Sequence, residues 1–162
     1  VDKRGLFRRH FCKEEFRKSD IFFDVKQTNI SENAKSKTLR GFHLQIPPYG
    51  ENKIISCISG SIHNIVLDLR KQSKTYLRWQ SFELSKTNKL NLYVPAGCAN
   101  AYMTLMDNTS VFYYHSEFYK PSYSKGIRYN DASFNFDWPS NPEVISDSDL
   151  NIENFNINNK YY

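Results

Sequence analysis

Short runs of β-branched, aromatic and alternating apolar residues, separated by turn residues, are the feature that most restricts the fold of this chain. Runs of this length, at a spacing of roughly eight to twelve residues, are typical of an all-β sandwich or barrel. Short helices are predicted only at 10–16 and near 147–151, so we expect an all-β fold with small peripheral helices. The runs that predict strands are residues 21–29, 40–45, 53–58, 62–70, 75–84, 90–94, 101–105 and 110–116.

Two of these regions also indicate how the strands are arranged. The run 62–70 is apolar on both faces, because its odd and even positions are both rich in Ile, Leu and Val. A strand of this kind is expected to be covered on both sides. The short connection 106–109 between the runs 101–105 and 110–116 predicts a hairpin.

The domain organisation is predicted to be simple. No internal repeat and no linker divides the chain, so we expect a single domain over residues 1–150. The Asn-rich segment 151–162 is predicted to be a loosely ordered tail. The chain begins at Val1 rather than at a methionine, and we expect a trimmed or incomplete N-terminus.

Charge and cysteine content narrow the classes of function. The net charge of +5 comes from basic residues that are scattered along the chain, so we expect no nucleic-acid partner. No apolar run is long enough to span a bilayer, so no membrane partner is expected either. The cysteines Cys12, Cys57 and Cys98 are odd in number and widely spaced, which predicts reduced thiols in a cytoplasmic protein.

The stretch Thr38–Gln45 is unusually polar for a predicted strand. It contains Arg40, Gly41, His43 and Gln45. Extended backbone sends alternate side chains to opposite faces, so the glycine, the imidazole and the last amide are expected to share one face. Taken alone, the pattern also fits an edge strand with a solvated face, or a core histidine whose polar atoms are satisfied.

Several short motifs occur in one order along the chain. They are Arg4–Phe7, Gln27–Asn29, Leu39–Gln45, Asn52–Ile54, Leu67–Arg70, Val94–Gly97, Asn130–Asp131, Asp137–Pro139 and Ser146–Asp149. With this series the chain resembles, as a divergent member, the dTDP-4-keto-6-deoxyglucose (dTDP-4-dehydrorhamnose) 3,5-epimerase family. The resemblance implies a cupin jelly roll, a homodimer, and a cofactor-free reaction on a nucleotide-linked 4-keto sugar.

The resemblance also implies four catalytic roles. His43 matches the general base, which Asp149 orients. Lys53 matches the residue that stabilises the enolate, and Tyr113 matches the opposing acid. These residue types suit proton abstraction beside a ketone, which needs a base, a group that holds the developing oxyanion, and an acid on the other face. A strand-edge lysine, a packed tyrosine and a helix-capping aspartate are the plainer interpretations of the last three residues.

A set of substrate-binding residues follows from the same resemblance. Arg40 is expected to grip the diphosphate, and Arg4 to reach the nucleotide of the partner subunit. Tyr119 is expected beside the nucleobase. The remaining candidates for substrate or nucleotide binding are Gln27, Asn29, Gln45, Asn64 and Asn100.

Two of these residues depart from the family pattern. Asn100 stands in place of a histidine and Asn64 in place of an aspartate, so the nucleotide (dTDP, CDP or GDP) and the number of inverted carbons stay open. One imidazole among amides makes a poor transition-metal site, and no metal is expected. His63 and His115 are expected to be structural.

We therefore expect an epimerase that inverts C3, C5 or both carbons of a nucleotide-linked 4-keto-6-deoxy sugar, for surface-polysaccharide synthesis (O-antigen or capsule). The alternatives are a catalytically silent cupin that binds a sugar nucleotide, and a 3,4-ketoisomerase, which shares the enolate but moves the carbonyl.

Overall fold

A computed structural model describes residues 1–162, which is the whole chain. The strands are β1 (Gln27–Asn33), β2 (Leu39–Gln45), β3 (Lys53–Ser59), β4 (Ser61–Asp68), β5 (Trp79–Ser85), β6 (Asn91–Val94), β7 (Cys98–Thr104), β8 (Thr109–His115) and β9 (Ser124–Gly126). The helices are α1 (Lys13–Lys18) and α2 (Asp147–Leu150), with one 3-10 turn at Pro121–Tyr123. Neither helix has the length and apolar character that crossing a bilayer requires.

The strands form two antiparallel sheets that face each other. The four-stranded sheet has the order β1-β8-β3-β6, and the five-stranded sheet has the order β5-β4-β7-β2-β9. Ile55 and Val111 of the first sheet pack with Ile62 and Tyr102 of the second in one buried cluster. Two facing antiparallel sheets connected in this way form a jelly roll. The predicted all-β fold with small peripheral helices is therefore confirmed.

The five-stranded sheet is buried on both of its faces. Ile62 of β4 points toward the other sheet, whereas Ile65 and Leu67 point outward. The outward residues pack against Phe134 and Tyr161, which belong to the chain after β9. This confirms the prediction that the strand at 62–70 is covered on both sides.

The tail is more ordered than its composition predicts. Phe155 packs against Phe134 and Tyr161, with ring centroids 5.0 and 5.4 Å away, and its backbone N–H donates to the carboxylate of Asp131. The prediction of a loosely ordered tail is wrong for these residues. Aromatic side chains spaced along a polar segment are sufficient to hold it against an apolar sheet.

The predicted hairpin at 101–105 and 110–116 is also wrong. β7 pairs with β2 and β4 in the five-stranded sheet, whereas β8 pairs with β1 and β3 in the other sheet. The turn between them, residues 105–108, is exposed and carries the chain from one sheet to the other. A short connection identifies the turn, but apolar alternation does not identify the strand's partner.

Two strands begin later in the chain than predicted. β1 is Gln27–Asn33 rather than residues 21–29, and β5 begins at Trp79 rather than at residue 75. Residues before β5 form turns because the Asp68 carboxylate accepts hydrogen bonds from Arg70 and Thr75. Side-chain bonds of this kind compete with the strand ladder for the local backbone.

A bulge in β2 determines which of its side chains face the interior. Arg40 pairs with Tyr102 and His43 pairs with Asn100, so β2 advances by three residues where β7 advances by two. The extra residue brings Arg40 onto the same face as His43. The expectation that strict alternation would put Gly41 on that face is therefore wrong. A Cβ on Gly41, whose φ is +106°, would lie 2.6 Å from the Asn100 carbonyl oxygen, so the bulge requires glycine.

Candidate active site

A cavity of about 570 Å³ opens between the sheets at one end of the jelly roll. Its walls come from β1, β3 and β8 of one sheet and from β2 and β7 of the other, and the chain around α2 closes one side. Nine of the predicted site residues line it: Asn29, Arg40, His43, Gln45, Lys53, Asn100, Tyr113, Tyr119 and Asp149.

His43 and Asp149 form a hydrogen-bonded pair. His43 Nε2 lies 2.7 Å from Asp149 Oδ1, and Asp149 Oδ2 accepts the N–H of Gly41 at 3.1 Å. Ser146 caps α2, because its hydroxyl accepts the N–H of Asp149 at 3.2 Å. The Asp149 carboxylate is thus not the helix cap and is aimed at the imidazole. His43 Nδ1 is left available to a ligand, on a side chain that is 49% exposed.

The contacts of Asp149 change its acidity. Burial alone would raise the pKa of this carboxyl. The hydrogen bond from His43, the charge of His43 and the hydrogen bond from the Gly41 N–H together lower the pKa below its ordinary value. Asp149 is therefore ionised at neutral pH. An ionised partner fixes the imidazole tautomer and stabilises the imidazolium once it forms.

Lys53 supplies a buried cation beside this pair. Its side chain is 8% exposed, and its ammonium donates to the His43 carbonyl oxygen at 3.2 Å and to Asn100 Oδ1 at 3.1 Å. The Glu51 carboxylate lies 3.4 Å from the same nitrogen. Burial would raise the pKa of Glu51, but its hydrogen bond with His115 and the charge of Lys53 lower it. The ammonium therefore has an ionised counter-charge, as a buried cation requires.

Tyr113 lies on the four-stranded sheet, across the cavity from β2. Burial, and next the neighbouring Tyr102, raise the pKa of Tyr113 well above that of a free phenol. Tyr102 is itself held by a 2.8 Å hydrogen bond with Ser31. Tyr113 is consequently protonated at neutral pH, and it can act only as a proton donor in its resting state.

Arg40 is fixed at one end only. Its Nε donates to Asn33 Oδ1 at 2.8 Å, which leaves the terminal nitrogens free for an anionic ligand. Gln45 lines the cavity, but its amide is committed to Tyr49, Phe118 and Lys120 backbone atoms. Its contribution is therefore to hold the loop after β8 rather than to offer free donors.

Three predicted residues do not line the cavity. Asn64 is fully buried and neither of its amide atoms has a hydrogen-bond partner, so the expectation that it binds substrate is wrong. Gln27 accepts the N–H of Tyr119 at 3.0 Å and so positions that residue from outside. Arg4 lies in an exposed turn, paired with Asp2 at 2.7 Å, away from the cavity of its own chain.

Among the lining residues that the sequence did not predict are His115 and Glu51. His115 was expected to be structural, but it lines the cavity and its Nδ1 lies 2.8 Å from Glu51 Oε2. The alternation of β8 could have found it, because His115 follows Tyr113 by two residues on the same face. No three His, Cys, Asp or Glu side chains are grouped in a way that could hold a metal ion.

Proton transfer is the chemistry that these side chains have in common, and a jelly roll with such a site defines an acid–base enzyme rather than a purely structural domain. The family model described as dTDP-4-dehydrorhamnose 3,5-epimerase matches residues 1–156. The chain belongs to this family, whose members are cupin-type isomerases.

Related proteins and structures agree with this assignment. The dTDP-4-dehydrorhamnose 3,5-epimerase of Shigella flexneri is 33% identical over 155 residues, which is 95% of this chain and 85% of that protein. The crystal structure of the Bacillus anthracis epimerase with TDP and pyrophosphate bound has a TM-score of 0.93 at 32% identity, over 96% of this chain and 89% of that one. The predicted family, the cupin jelly roll and the isomerase activity are confirmed.

A further similar structure has a narrower activity. The 3′-monoepimerase of Streptomyces bikiniensis, solved with dTDP-quinovose, has a TM-score of 0.87 at 29% identity. The aligned region covers 94% of this chain and 78% of the Streptomyces bikiniensis chain. The fold therefore accommodates both two-carbon and one-carbon epimerases.

Proposed function

We propose that this protein inverts C3, C5 or both carbons of a 4-keto-6-deoxy sugar linked to a nucleoside diphosphate. The observation that carries the proposal is the hydrogen-bonded pair of His43 and Asp149 in one cavity with Lys53. A base and a cation that line the same cavity are what the removal of a hydrogen beside a ketone requires.

In this mechanism His43 Nδ1 removes the proton from the carbon next to the ketone. The electron pair of the C–H bond forms a C=C bond, and the negative charge moves to the ketone oxygen. Lys53 stabilises that oxyanion from a buried position, where a charge acts most strongly. Tyr113, from the facing sheet, returns a proton to the opposite face of the same carbon.

The nucleotide is held by the open end of the cavity. The terminal nitrogens of Arg40 suit a diphosphate, with which a guanidinium forms paired, charge-assisted hydrogen bonds. We propose dTDP as the first nucleotide to test, because TDP and a dTDP-sugar are bound in the similar structures from Bacillus anthracis and Streptomyces bikiniensis. CDP and GDP are the alternatives, and Tyr119, 60% exposed, is proposed to lie against the base.

We propose a homodimer in the cytoplasm as the working form. Leu6 and Phe7 are 49% and 97% exposed, next to the turn that carries Arg4, and such apolar side chains suit a subunit contact. That contact would bring Arg4 toward the partner subunit's nucleotide.

The cysteines support the cytoplasm as the compartment, because free Cys12, Cys57 and Cys98 fit a reducing environment. Residues 1–150 are proposed to be the catalytic domain, with 151–162 as its packed tail.

Solvent-deuterium incorporation tests the function. The protein is incubated in D2O with dTDP-, CDP- or GDP-linked 4-keto-6-deoxyglucose, and C3 and C5 are examined by NMR. We expect deuterium with inverted configuration at one carbon or both, and loss of labelling in His43→Ala. A product whose carbonyl has moved identifies a ketoisomerase, and bound but unlabelled sugar identifies a silent binding protein; either result contradicts the proposal.

A further inference from the structure

The cavity contains a second imidazole–carboxylate pair, on the wall opposite the first. His43 lies on β2 of the five-stranded sheet, whereas His115 lies on β8 of the four-stranded sheet. The two imidazoles share one kind of contact: one nitrogen bonds a largely buried carboxylate, 2.7 Å away for His43 and 2.8 Å away for His115. In both pairs the carboxylate can stabilise an imidazolium.

The surroundings of His115 accept both of its protonation states. Its Nε2 lies 3.2 Å from the Asn29 side-chain amide. That amide can offer its NH2 group to an unprotonated nitrogen or, after rotation, its oxygen to an N–H. Glu51 lies between His115 and Lys53, with its carboxylate oxygens 2.8 and 3.4 Å from their nitrogens. The negative charge of Glu51 therefore separates a protonated His115 from the Lys53 ammonium.

His115 is also placed beside the groups that act on the ketone. It pairs directly with Lys53 across β3 and β8, and its ring stacks on Tyr113 with the centroids 5.7 Å apart. Burial makes Tyr113 a weak acid, since it raises the pKa of the phenol. An imidazolium is a far stronger acid than a phenol, and His115 lies on the same wall.

We propose that His115, supported by Glu51, is a second proton-transfer residue, which protonates one of the two carbons beside the ketone from the wall facing His43. This inference rests on the proposed epimerase function. The two carbons lie on either side of one ketone, and two proton donors at neighbouring positions can serve them. In this scheme His115 protonates one carbon and Tyr113 protonates the other.

The protons balance as follows. His43 takes the proton from carbon, and the C–H electron pair becomes the enolate. The N–H bond of the His115 imidazolium breaks, its proton bonds to the opposite face of that carbon, and the enolate electrons re-form the ketone. His43 then releases its proton to water, and His115 takes one from water through the open end of the cavity.

The test uses the native protein, His115→Gln, Glu51→Gln and the control His10→Gln in D2O with the sugar nucleotide that the native protein labels. His10 lies outside the cavity and contacts Tyr114, on the outer face of β8, at 3.1 Å. We expect the control to match the native protein. His115→Gln should slow inversion at one carbon by about 10²- to 10⁴-fold.

Labelling distinguishes a lost donor from a damaged site. In His115→Gln, His43 still removes the proton and can return deuterium to the same face, so we expect deuterium at that carbon with retained configuration. Glu51→Gln should show the same uncoupling with a smaller loss. Native inversion rates in His115→Gln, or a parallel fall of labelling and inversion in both variants, would overturn the inference. A native protein that labels no sugar nucleotide contradicts the proposed function instead.

Discussion

His43 Nε2 and Asp149 Oδ1 lie 2.7 Å apart, although 106 residues separate them in the chain. The aspartate reaches the imidazole because the chain after β9 packs over the outer face of the five-stranded sheet and returns to the cavity at α2. Folding of the C-terminal region is therefore a condition for assembling the proton-transfer pair, and not only for covering the sheet.

Replacing Asp149 tests that pair. Asp149→Asn removes the charge that orients and stabilises the imidazole, and we expect the rate of deuterium incorporation to fall on the order of 10²–10⁴-fold. The measurement is the initial rate of labelling in D2O at pH 7. Asp147→Asn is the matched control, because Asp147 lies on the same short helix but is exposed, and it should label at the native rate. Equal rates in both variants would remove Asp149 from the mechanism.

Lys53 tests the stabilisation of the enolate. Lys53→Met removes the ammonium but keeps an unbranched side chain of similar length, and we expect kcat to fall by about 10²- to 10³-fold. Binding of dTDP, measured by calorimetry, should change little because the nucleotide is held elsewhere. A variant that keeps a rate within threefold of native, or that loses nucleotide binding and rate together, contradicts this assignment.

Arg40 tests nucleotide recognition. Arg40→Gln removes the charge that faces the diphosphate, and a lost charge-assisted hydrogen bond predicts an increase in KM of roughly 10- to 100-fold. We expect kcat at saturation to remain near native. Initial rates over a range of substrate concentrations separate the two constants, with Arg17→Gln on α1 as the control. A fall in kcat at unchanged KM would place Arg40 at the reacting sugar.

Asp68 tests stability and its dependence on pH. Burial would raise the pKa of Asp68, but hydrogen bonds from Arg70, Ser73 and Thr75 lower it far below its ordinary range. Because the folded-state pKa is depressed, the contribution to stability is present above the unfolded value of about 3.9 and is lost as the pH falls below it.

Asp68→Asn leaves the partly exposed Arg70 without its partner, and we expect a loss of about 2–4 kcal/mol in the free energy of unfolding at pH 7. That corresponds to a decrease in Tm of roughly 5–12 °C. The difference in Tm between the native protein and the variant should be smaller at pH 3 than at pH 7, in thermal melts followed by circular dichroism. Glu153→Gln, an exposed acid of the tail, is the control. A gap that is constant with pH would show that Asp68 stabilises only by packing.

An all-β sandwich or barrel could be predicted from the sequence because alternation, turn residues and run length are local properties, whereas the jelly roll followed from the family resemblance. The predicted hairpin failed at β7 and β8 because strand pairing depends on long-range contacts, and a short turn is compatible with pairing in one sheet or in two. The tail failed for a similar reason: Phe155, Tyr161 and Tyr162 are three aromatics in a polar segment, and Phe134, against which Phe155 packs, lies outside that segment.

Site residues could be predicted where they belong to a motif. They could be predicted less well where the folded geometry determines whether a side chain reaches the cavity. Arg40 reaches the cavity through a bulge that the alternation of β2 does not reveal. Asn64 matches a family position but is sealed between the sheets without a partner. His115 carries no motif, and its proposed role depends on its contact with Glu51, which lies in a loop before another strand.

Gly41 tests the bulge itself. Gly41→Ala forces a Cβ to within 2.6 Å of the Asn100 carbonyl oxygen and 2.9 Å of Ala101, at a φ of +106°. We expect a loss of about 2–4 kcal/mol in the free energy of unfolding, together with loss of activity, because the register that places His43 opposite Asn100 cannot persist. Gly5→Ala is the matched control: its φ is +119°, but no atom lies within 4 Å of the added Cβ. It carries the conformational cost without the collision, so its denaturation midpoint should fall much less than that of Gly41→Ala. Equal destabilisation of the two variants would mean that the backbone conformation, and not the close approach of β7, is what requires glycine at position 41.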